Sequence, residues 1–193
     1  HAALRRGVYH VISIFLIISG FLRAKNPRSE SDIPFLLTMC CLLAIAVLPP
    51  PARILDVGTG SGILAIAAAK RFAREITASD IDPIAVDVAR TNAEINGVAE
   101  YVRPFACPGL DDAEIEAAGP FDLIFANIVA NPLIEIAPDL SAALAQTGNA
   151  RAVLSGILDV QKDDVAAAYA AFGLTVVDAL PMREWVTLVL SRR

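Results

Sequence analysis

Residues 54–62, with the sequence I-L-D-V-G-T-G-S-G, constrain the fold of this chain more than any other segment. The first four residues are apolar except for one aspartate, a composition typical of a buried strand. Glycines at alternate positions follow, and an alanine-rich run over residues 63–69 favours a closely packed helix. Because glycine has no Cβ atom, this backbone can approach a ligand at the amino end of the helix. The segment therefore predicts a strand, a ligand-binding turn and a helix.

The spacing of the glycines indicates the kind of ligand. A dinucleotide-binding fingerprint has its third glycine three residues after the second, where this chain has Ile63. The third glycine is instead Gly62, which gives the pattern D-x-G-x-G-x-G beginning at Asp56, and no lysine follows to bind a triphosphate. This pattern suits S-adenosylmethionine, which has a ribose, an adenine and an amino-acid tail but no phosphate. A tight strand-to-helix turn without a ligand is the alternative interpretation.

A second carboxylate follows at the distance expected for a ribose-binding group. Residues 75–79 are predicted to form the next strand, and Asp80 follows it, 22 residues after Gly58. Ribose-binding carboxylates lie roughly 20 residues into such a motif. A carboxylate there can accept hydrogen bonds from both ribose hydroxyls, and such charge-assisted bonds are strong. Asp56 and Asp80 together favour the ligand-binding interpretation.

Composition and charge exclude several kinds of function. The net charge of −5 divides into +3 for residues 1–50 and −8 for residues 51–193, and an acidic body argues against binding to a nucleic-acid backbone. Cys40, Cys41 and Cys107 form no C-x-x-C pair, and His1 and His10 have no companions at ligand spacing. We therefore expect no disulfide framework and no metal site, and cysteine usage indicates a reducing compartment.

The chain divides into two unlike parts, with a boundary at the prolines of residues 49–51. Residues 1–50 are an atypical apolar N-terminal segment with apolar runs over 11–22 and 33–48. Each run is shorter than the ~18–20 apolar residues that span a bilayer, so membrane contact is not expected, although a short membrane hairpin stays open as an alternative. Because the chain begins with histidine, we expect a fragment or a missing start. Residues 51–193 are predicted to form the functional domain.

In the second part, strands alternate with helices, which predicts an α/β fold with a doubly wound, mostly parallel sheet. Asp82 and Gly97 mark the start and stop of one helix, and Pro138 is expected to interrupt another. The predicted strands cover residues 53–57, 75–79, 101–106, 121–126, 150–155, 174–178 and 185–190. The predicted helices cover residues 61–72, 111–118 and 160–172, the region between Asp82 and Gly97, and a segment starting at Asn131. The last two strands follow each other directly, as an antiparallel C-terminal pair would.

Asn127 closes the predicted fourth strand, and its amide oxygen can accept a hydrogen bond from an incoming amine. Ligands bind at the carboxyl ends of strands in such sheets, so Asn127 is expected to face the same crevice as the glycine turn. An equally open interpretation is that Asn127 caps a turn, as Asn131 is expected to do for the next helix.

No Ser/His/Asp or Cys/His constellation is recognisable, which disfavours a hydrolase. Methyl transfer needs mainly alignment and exclusion of water.

Several segments together resemble the family of enzymes that methylate large-subunit ribosomal protein eleven, the PrmA family. The glycine run belongs to many methyltransferases, whereas A-N-I at residues 126–128, S-G-I-L at 155–158 and E-W-V at 184–186 are more specific. Residues 78–86, 92–98 and 133–140 match as well, in family order. The resemblance covers residues 52–193.

This resemblance implies a seven-stranded, Rossmann-like sheet that binds S-adenosyl-L-methionine and transfers its methyl group to amines of a ribosomal protein in the cytoplasm. Those amines are lysine side chains and the N-terminal amine, and no direct nucleic-acid binding is expected. The resemblance implies Asn127 as the catalytic residue, beside the transferring methyl. The positions that it implies for donor binding are Asp56, Gly58, Thr59, Gly60, Gly62, Asp80, Ile81 and Asn127.

Two departures from the family leave other functions open. Residues 1–50 contain neither the family's N-terminal substrate-recognition domain nor its G-T-G-x-H-x-T-T cover loop. The third strand is followed by Cys107, where many methyltransferases have an acidic residue that contacts adenine. The alternatives are a donor-binding remnant without activity, a membrane-tethered methyltransferase, and an enzyme acting on another protein or on nucleic acid. The last of these usually has N-P-P-Y after the fourth strand, whereas here Ile128 follows Asn127.

Overall fold

The computed structural model describes residues 50–192, and seven strands and six α-helices alternate along them. The strands are β1 (Ile54–Val57), β2 (Ile76–Asp80), β3 (Val102–Ala106), β4 (Leu123–Asn127), β5 (Arg151–Leu158), β6 (Leu174–Met182) and β7 (Trp185–Arg192). The helices are α1 (Ile63–Phe72), α2 (Pro83–Ile95), α3 (Ala113–Ala118), α4 (Ala130–Glu135), α5 (Ala137–Ala143) and α6 (Lys162–Ala170). A single 3₁₀ turn, Asp159–Gln161, precedes α6.

The strands form one sheet in the order β3-β2-β1-β4-β5-β7-β6. β1 pairs in parallel with both β2 and β4, and β7 is antiparallel to its two neighbours. The chain therefore winds outward from β1 in one direction and from β4 in the other. This confirms the predicted α/β fold, with a doubly wound, mostly parallel seven-stranded sheet and an antiparallel C-terminal pair.

Side chains alternate between two apolar clusters, one on each face of the sheet. On one face, Ile54 and Phe125 pack with buried residues of α1, including Leu64 and Ala68. On the other face, Leu55 and Ile124 pack with residues of α3 to α6. Because the side-chain period of a strand is two, Asp56 and Asn127 project toward the α1 face. The same alternation thus builds the core and directs both polar groups to one side.

Some element boundaries differ from the sequence-based predictions for local physical reasons. Gly62 has φ +79°, a left-handed conformation outside the helical range, so α1 begins at Ile63 rather than at residue 61. β5 continues past the predicted end at Ser155. A bulge between Leu154 and Ile157 takes up one extra residue, and pairing with β7 resumes at Ile157. The helical region predicted to start at Asn131 begins at Ala130.

The expected helix signals were otherwise accurate. The Asp82 side chain caps α2 by accepting a hydrogen bond from Ile84 N (2.8 Å), as predicted. Pro138 stands in the first turn of α5, and α4 and α5 are separate helices, so the predicted interruption is confirmed. Residues 160–172, predicted as one helix, contain part of the 3₁₀ turn followed by α6.

The predictions for the N-terminal segment concern residues 1–49, which lie outside the described part of the chain. Among residues 50–192, no helix combines the length and apolarity needed to cross a membrane. The division at residue 50 stays a prediction.

Removal of the Tyr169 hydroxyl should not destabilise the protein. Tyr169 on α6 is fully buried, its hydroxyl has no hydrogen-bond partner among the described residues, and burial raises the pKa of the phenol. An unsatisfied buried polar group costs roughly 1–3 kcal/mol. We expect Tyr169→Phe to raise the free energy of unfolding in urea by about 1 kcal/mol. The partly exposed Tyr101→Phe serves as the control, and a loss of stability confined to Tyr169→Phe would contradict the assignment.

Candidate functional site

The candidate site lies at the carboxyl ends of β1, β2 and β4, where the winding direction of the sheet reverses. Val57 is in register with Ala126 across β1 and β4, so the next residues, Gly58 after β1 and Asn127 at the end of β4, lie side by side. Val57 is also in register with Ser79, one residue before Asp80. Ligands of doubly wound sheets bind in the crevice at this switch point. The fold therefore brings together the glycine turn, Asp80 and Asn127, as the sequence predicted.

The glycine turn is held from several sides. Thr59 N donates to Ser79 O (2.9 Å), and Gly62 N donates to Thr59 O (2.8 Å). Gly60 has φ +54°, and a Cβ atom built there would meet no atom within 4 Å. The backbone at Gly60 is therefore left-handed and faces open space, with no side chain to shield it. A ligand can approach this part of the turn closely.

Asp56 is a buried carboxylate of which only one oxygen accepts hydrogen bonds from the described residues. Its Oδ2 accepts hydrogen bonds from Thr59 Oγ1 (2.7 Å) and Ala65 N (3.1 Å). Its Oδ1 is buried and has no hydrogen-bond partner among the described residues. Burial raises the pKa of Asp56 to about 7, the bonds from Thr59 and Ala65 lower it, and the charge of Asp80 raises it further. A cationic group next to Oδ1 would offset the cost of ionising this carboxyl.

Asp80 connects the turn to the loop after β2. Its Oδ2 accepts a hydrogen bond from Gly60 N (2.7 Å), and its Oδ1 accepts one from Asp82 N (3.0 Å). Each carboxylate oxygen has a further lone pair, so both can still accept a ligand hydroxyl. Asp80 is partly buried, which leaves one side open to a ligand. Its position is consistent with ribose binding and adds a role in shaping the glycine turn.

Asn127 is partly buried at the end of β4, and within residues 50–192 no hydrogen bond engages its side chain. The interpretation as a turn cap therefore has no support in this part of the chain. The expectation that Asn131 caps the following helix is wrong, because Val129 occupies the N-cap position and Asn131 lies within α4. Pro132 follows in the first turn, where its missing N–H needs no partner.

The two remaining predicted positions differ in accessibility. Ile81 follows Asp80 and is 76% exposed, so an apolar surface borders the crevice. Cys107 is buried, its backbone N–H donates to Asp80 O (2.9 Å), and its thiol contacts Gly109 O at 3.5 Å. Burial raises the pKa of the Cys107 thiol. Its side chain replaces neither the charge nor the exposure of an adenine-binding acid.

The residues present fit S-adenosylmethionine. The unpartnered Asp56 Oδ1 suits a cationic amino group, the second lone pairs of Asp80 suit ribose hydroxyls, and the open face at Gly60 admits close main-chain contact. This fit supports the predicted donor-binding positions, which stay predictions.

One residue that shapes the turn was not predicted from the sequence. Asn92 on α2 donates from Nδ2 to Ser61 O (2.8 Å), which ties the turn to the second helix. A Cβ atom at Gly62 would lie 3.1 Å from the Cβ of Ala89 on the same helix. Asn92 is 31 residues from Ser61, and only the packing of α2 against the turn reveals the contact. The signal available in the sequence was that Asn92 is a polar residue inside a predicted helix.

Comparison with known proteins agrees with this geometry. A sequence model of the family described as ribosomal protein L11 methyltransferase (PrmA) matches residues 37–193. The solved structure of a ribosomal protein L11 methylase from Lactobacillus delbrueckii subsp. bulgaricus superposes with a TM-score of 0.73 at 33% identity. That superposition covers 81% of this chain and 79% of the other.

The fold and the crevice define a Rossmann-like methyltransferase of the class that depends on S-adenosylmethionine. The topology, the D-x-G-x-G-x-G motif at the end of β1 and the carboxylate at the end of β2 all belong to that class. Within it, this chain belongs to the PrmA family of ribosomal protein L11 methyltransferases.

Relatives within the family are longer than this chain. A ribosomal protein L11 methyltransferase from Brucella abortus (strain S19) is 49% identical over 141 residues, which are 73% of this chain and 49% of that protein. One from Bradyrhizobium diazoefficiens is 44% identical over 155 residues, 79% of this chain and 52% of that protein. The chain thus spans about half the length of the curated relatives it matches.

Proposed function

We propose that this chain transfers methyl groups from S-adenosylmethionine to amines of ribosomal protein L11, namely lysine side chains and the N-terminal amine. The observation that carries the proposal is the placement of Asn127, whose side chain forms no hydrogen bond within residues 50–192, next to the glycine turn. The identity of the substrate is inferred from family membership. For an enzyme with this substrate, the proposed compartment is the cytoplasm.

Each residue of the crevice has a distinct role in this proposal. When bound, S-adenosylmethionine supplies a methyl group already activated by its sulfonium. Asp56, Gly58, Thr59, Gly60 and Gly62 hold the amino-acid end of the donor. Asp80 holds the ribose, and the exposed Ile81 borders the adenine.

Asn127 orients the acceptor. Its amide oxygen accepts a hydrogen bond from the incoming amine, which must be neutral to attack, and so directs the nitrogen lone pair into the crevice. No nucleophilic side chain is needed, because positioning alone contributes on the order of 7–11 kcal/mol in favourable cases.

The proposed activity is tested with the full chain, purified ribosomal protein L11 and S-adenosylmethionine, with intact-mass spectrometry as the readout. Added methyl groups on L11 lysines or on its N-terminus support the proposal. A control with L11 whose amines are already blocked should show no transfer. Donor binding by calorimetry without any transfer to L11 would instead support a donor-binding remnant.

Donor binding should depend strongly on Asp80. We expect Asp80→Ala to weaken binding of S-adenosylmethionine by about 1.5–3 kcal/mol, since it removes charge-assisted bonds to the ligand and the acceptor of Gly60 N. Calorimetry measures the change. Asp82→Ala is the matched control, because Asp82 lies two residues away and caps α2 without a predicted donor contact. Equal affinities of wild type and Asp80→Ala would remove Asp80 from the donor site.

A further inference from the structure

Ile128, the residue after Asn127, lies against two glycines, one in β5 and one in the turn after β1. A Cβ atom built on Gly156 of β5 would lie 2.3 Å from the carbonyl oxygen of Ile128 and 2.8 Å from its carbonyl carbon. A Cβ atom built on Gly58, after β1, would lie 2.4 Å from Ile128 Cγ2. Atoms that are not bonded do not approach so closely, so any larger residue at either position would displace Ile128 or itself.

The Gly156 contact depends on a bulge in β5. Ser155 and Gly156 together face the single residue Thr187 of β7, between the registered pairs Leu154–Leu188 and Ile157–Val186. Gly156 has φ +85°, the left-handed conformation that such a bulge requires and that glycine adopts readily. A buried hydrogen bond between Ser155 Oγ and Thr187 Oγ1 (2.9 Å) ties the bulge to β7.

The bulge lies directly beside Asn127. On its other edge, β5 pairs with β4, and Ser155 is in register with Asn127. The next residue on each strand makes the close contact, Gly156 on β5 and Ile128 after β4. The bulge thus brings the β5 backbone against the backbone of Ile128, the residue that follows Asn127.

We propose that Gly156 is a positioning residue for methyl transfer, because its missing Cβ atom lets the Ile128 carbonyl lie against the β5 bulge and so fixes Asn127 toward the crevice. This inference rests on the proposed function, in which Asn127 orients the acceptor amine. Gly156 itself touches neither donor nor acceptor in this account.

The two glycine contacts differ in how they can be relieved. Gly58 meets a methyl group of the Ile128 side chain, which truncation or rotation of that side chain removes. Gly156 meets the Ile128 backbone, which no side-chain change removes. A larger residue at position 156 would therefore displace the main chain after β4, whereas one at position 58 would first displace the Ile128 side chain.

The test compares Gly156→Ala with Gly173→Ala in the full chain. Gly173 has φ +81°, close to that of Gly156, but the nearest atom to its Cβ position is Arg192 Nη1 at 3.9 Å. Alanine would therefore be under similar backbone strain at both positions, but only at position 156 would its Cβ atom clash with another residue. We expect Gly156→Ala to lower kcat for L11 methylation about 10- to 100-fold with little change in donor affinity, and Gly173→Ala to leave both near wild type.

A second readout does not depend on activity. In ¹H–¹⁵N spectra, the side-chain amide of Asn127 and the backbone amide of Ile128 should shift in Gly156→Ala and stay in place in Gly173→Ala. A wild type that methylates no L11 would count against the proposed function, whereas the spectra would still test the placement of Asn127. If Gly156→Ala does not fold, Thr187→Val, which loosens the bulge, must shift the same two resonances.

A rescue experiment tests the backbone origin of the effect. Ile128→Ala should restore part of the activity lost in Gly58→Ala, and it should not restore the activity lost in Gly156→Ala. The proposal is overturned by equal rates in Gly156→Ala and Gly173→Ala, by unshifted Asn127 and Ile128 resonances, or by rescue of Gly156→Ala. A parallel loss of donor affinity in Gly156→Ala would equally overturn it, since Gly156 would then act on the donor site.

Discussion

Asn127→Ala should lower kcat for methylation of L11 about 100- to 1,000-fold, the typical cost of losing one preorganised hydrogen bond to a reacting group. The affinity for S-adenosylmethionine should change far less, because the glycine turn, Asp56 and Asp80 are untouched. Asn127 ends β4, and removal of its side chain leaves the β4 pairings of the backbone intact. A loss confined to kcat is the signature of an interaction made with the transition state.

Single-turnover methylation and donor calorimetry on the same preparation separate these two effects. Asn131→Ala is the matched control, because it removes the same side chain from an exposed position on α4, four residues further along. Wild-type turnover in Asn127→Ala would exclude Asn127 from the mechanism. A loss of donor affinity as large as the loss of rate would assign it to donor binding alone.

Asp56 should make the stability of the protein depend on pH. Its pKa is about 7 in the folded protein, against an ordinary value of 3.8 that the unfolded chain retains. Between these values the folded state holds a proton that the unfolded state has lost, so the free energy of unfolding falls as pH rises. Each pKa unit of difference between the folded and unfolded states corresponds to about 1.4 kcal/mol. The free energy of unfolding should therefore fall by about 4 kcal/mol between pH 4 and 7.

Urea unfolding of wild type and Asp56→Asn over this pH range measures the effect. Asparagine has the same shape and can accept the bonds from Thr59 and Ala65, but it does not titrate. The stability of wild type relative to Asp56→Asn should therefore decline from pH 4 to 7 and level off above it. A difference that stays constant with pH would show that the Asp56 pKa is not raised.

Donor affinity should show the opposite pH trend. If the amino group of the donor lies near Asp56 Oδ1, it favours the ionised carboxylate, and the amine itself keeps its proton below about pH 7.7. Affinity should therefore rise with pH up to 7, by as much as about tenfold per unit, and binding should release a proton. Calorimetry in buffers of different ionisation enthalpy detects that proton. Asp56→Asn should show neither the trend nor the release.

Local sequence signals were enough to predict one side of the crevice. The glycine turn, Asp56 and Asp80 are encoded within 27 consecutive residues, 54–80, by strand pattern, glycine spacing and the end of a strand. Asp82 and Pro138 were equally readable, because caps and prolines act on their own helix. These signals depend on short-range backbone geometry and need no knowledge of neighbours in the fold.

The side of the crevice at Asn127 was less predictable. The position of Asn127 at the end of a strand was visible, but its lack of a capping role was not, since that depends on where α4 begins. A glycine inside a strand pattern indicates a bulge, and the S-G-I-L segment carried that signal at Gly156. The sequence alone did not indicate that this bulge faces Ile128, because β4 and β5 meet only through the order of the sheet.

The sequence by itself determined the alternation of strands and helices, the ligand-binding turn and the kind of donor, because apolar periodicity and glycine spacing act over a few residues. Tertiary structure decided the rest. Burial beneath α1 raises the pKa of Asp56 and leaves its Oδ1 without a partner, and the packing of α2 brings Asn92 to the turn. The pairing of β4 with a bulged β5 sets the position of the Ile128 backbone, next to Asn127. Such properties depend on distant segments meeting, so they emerge only when the sheet has assembled.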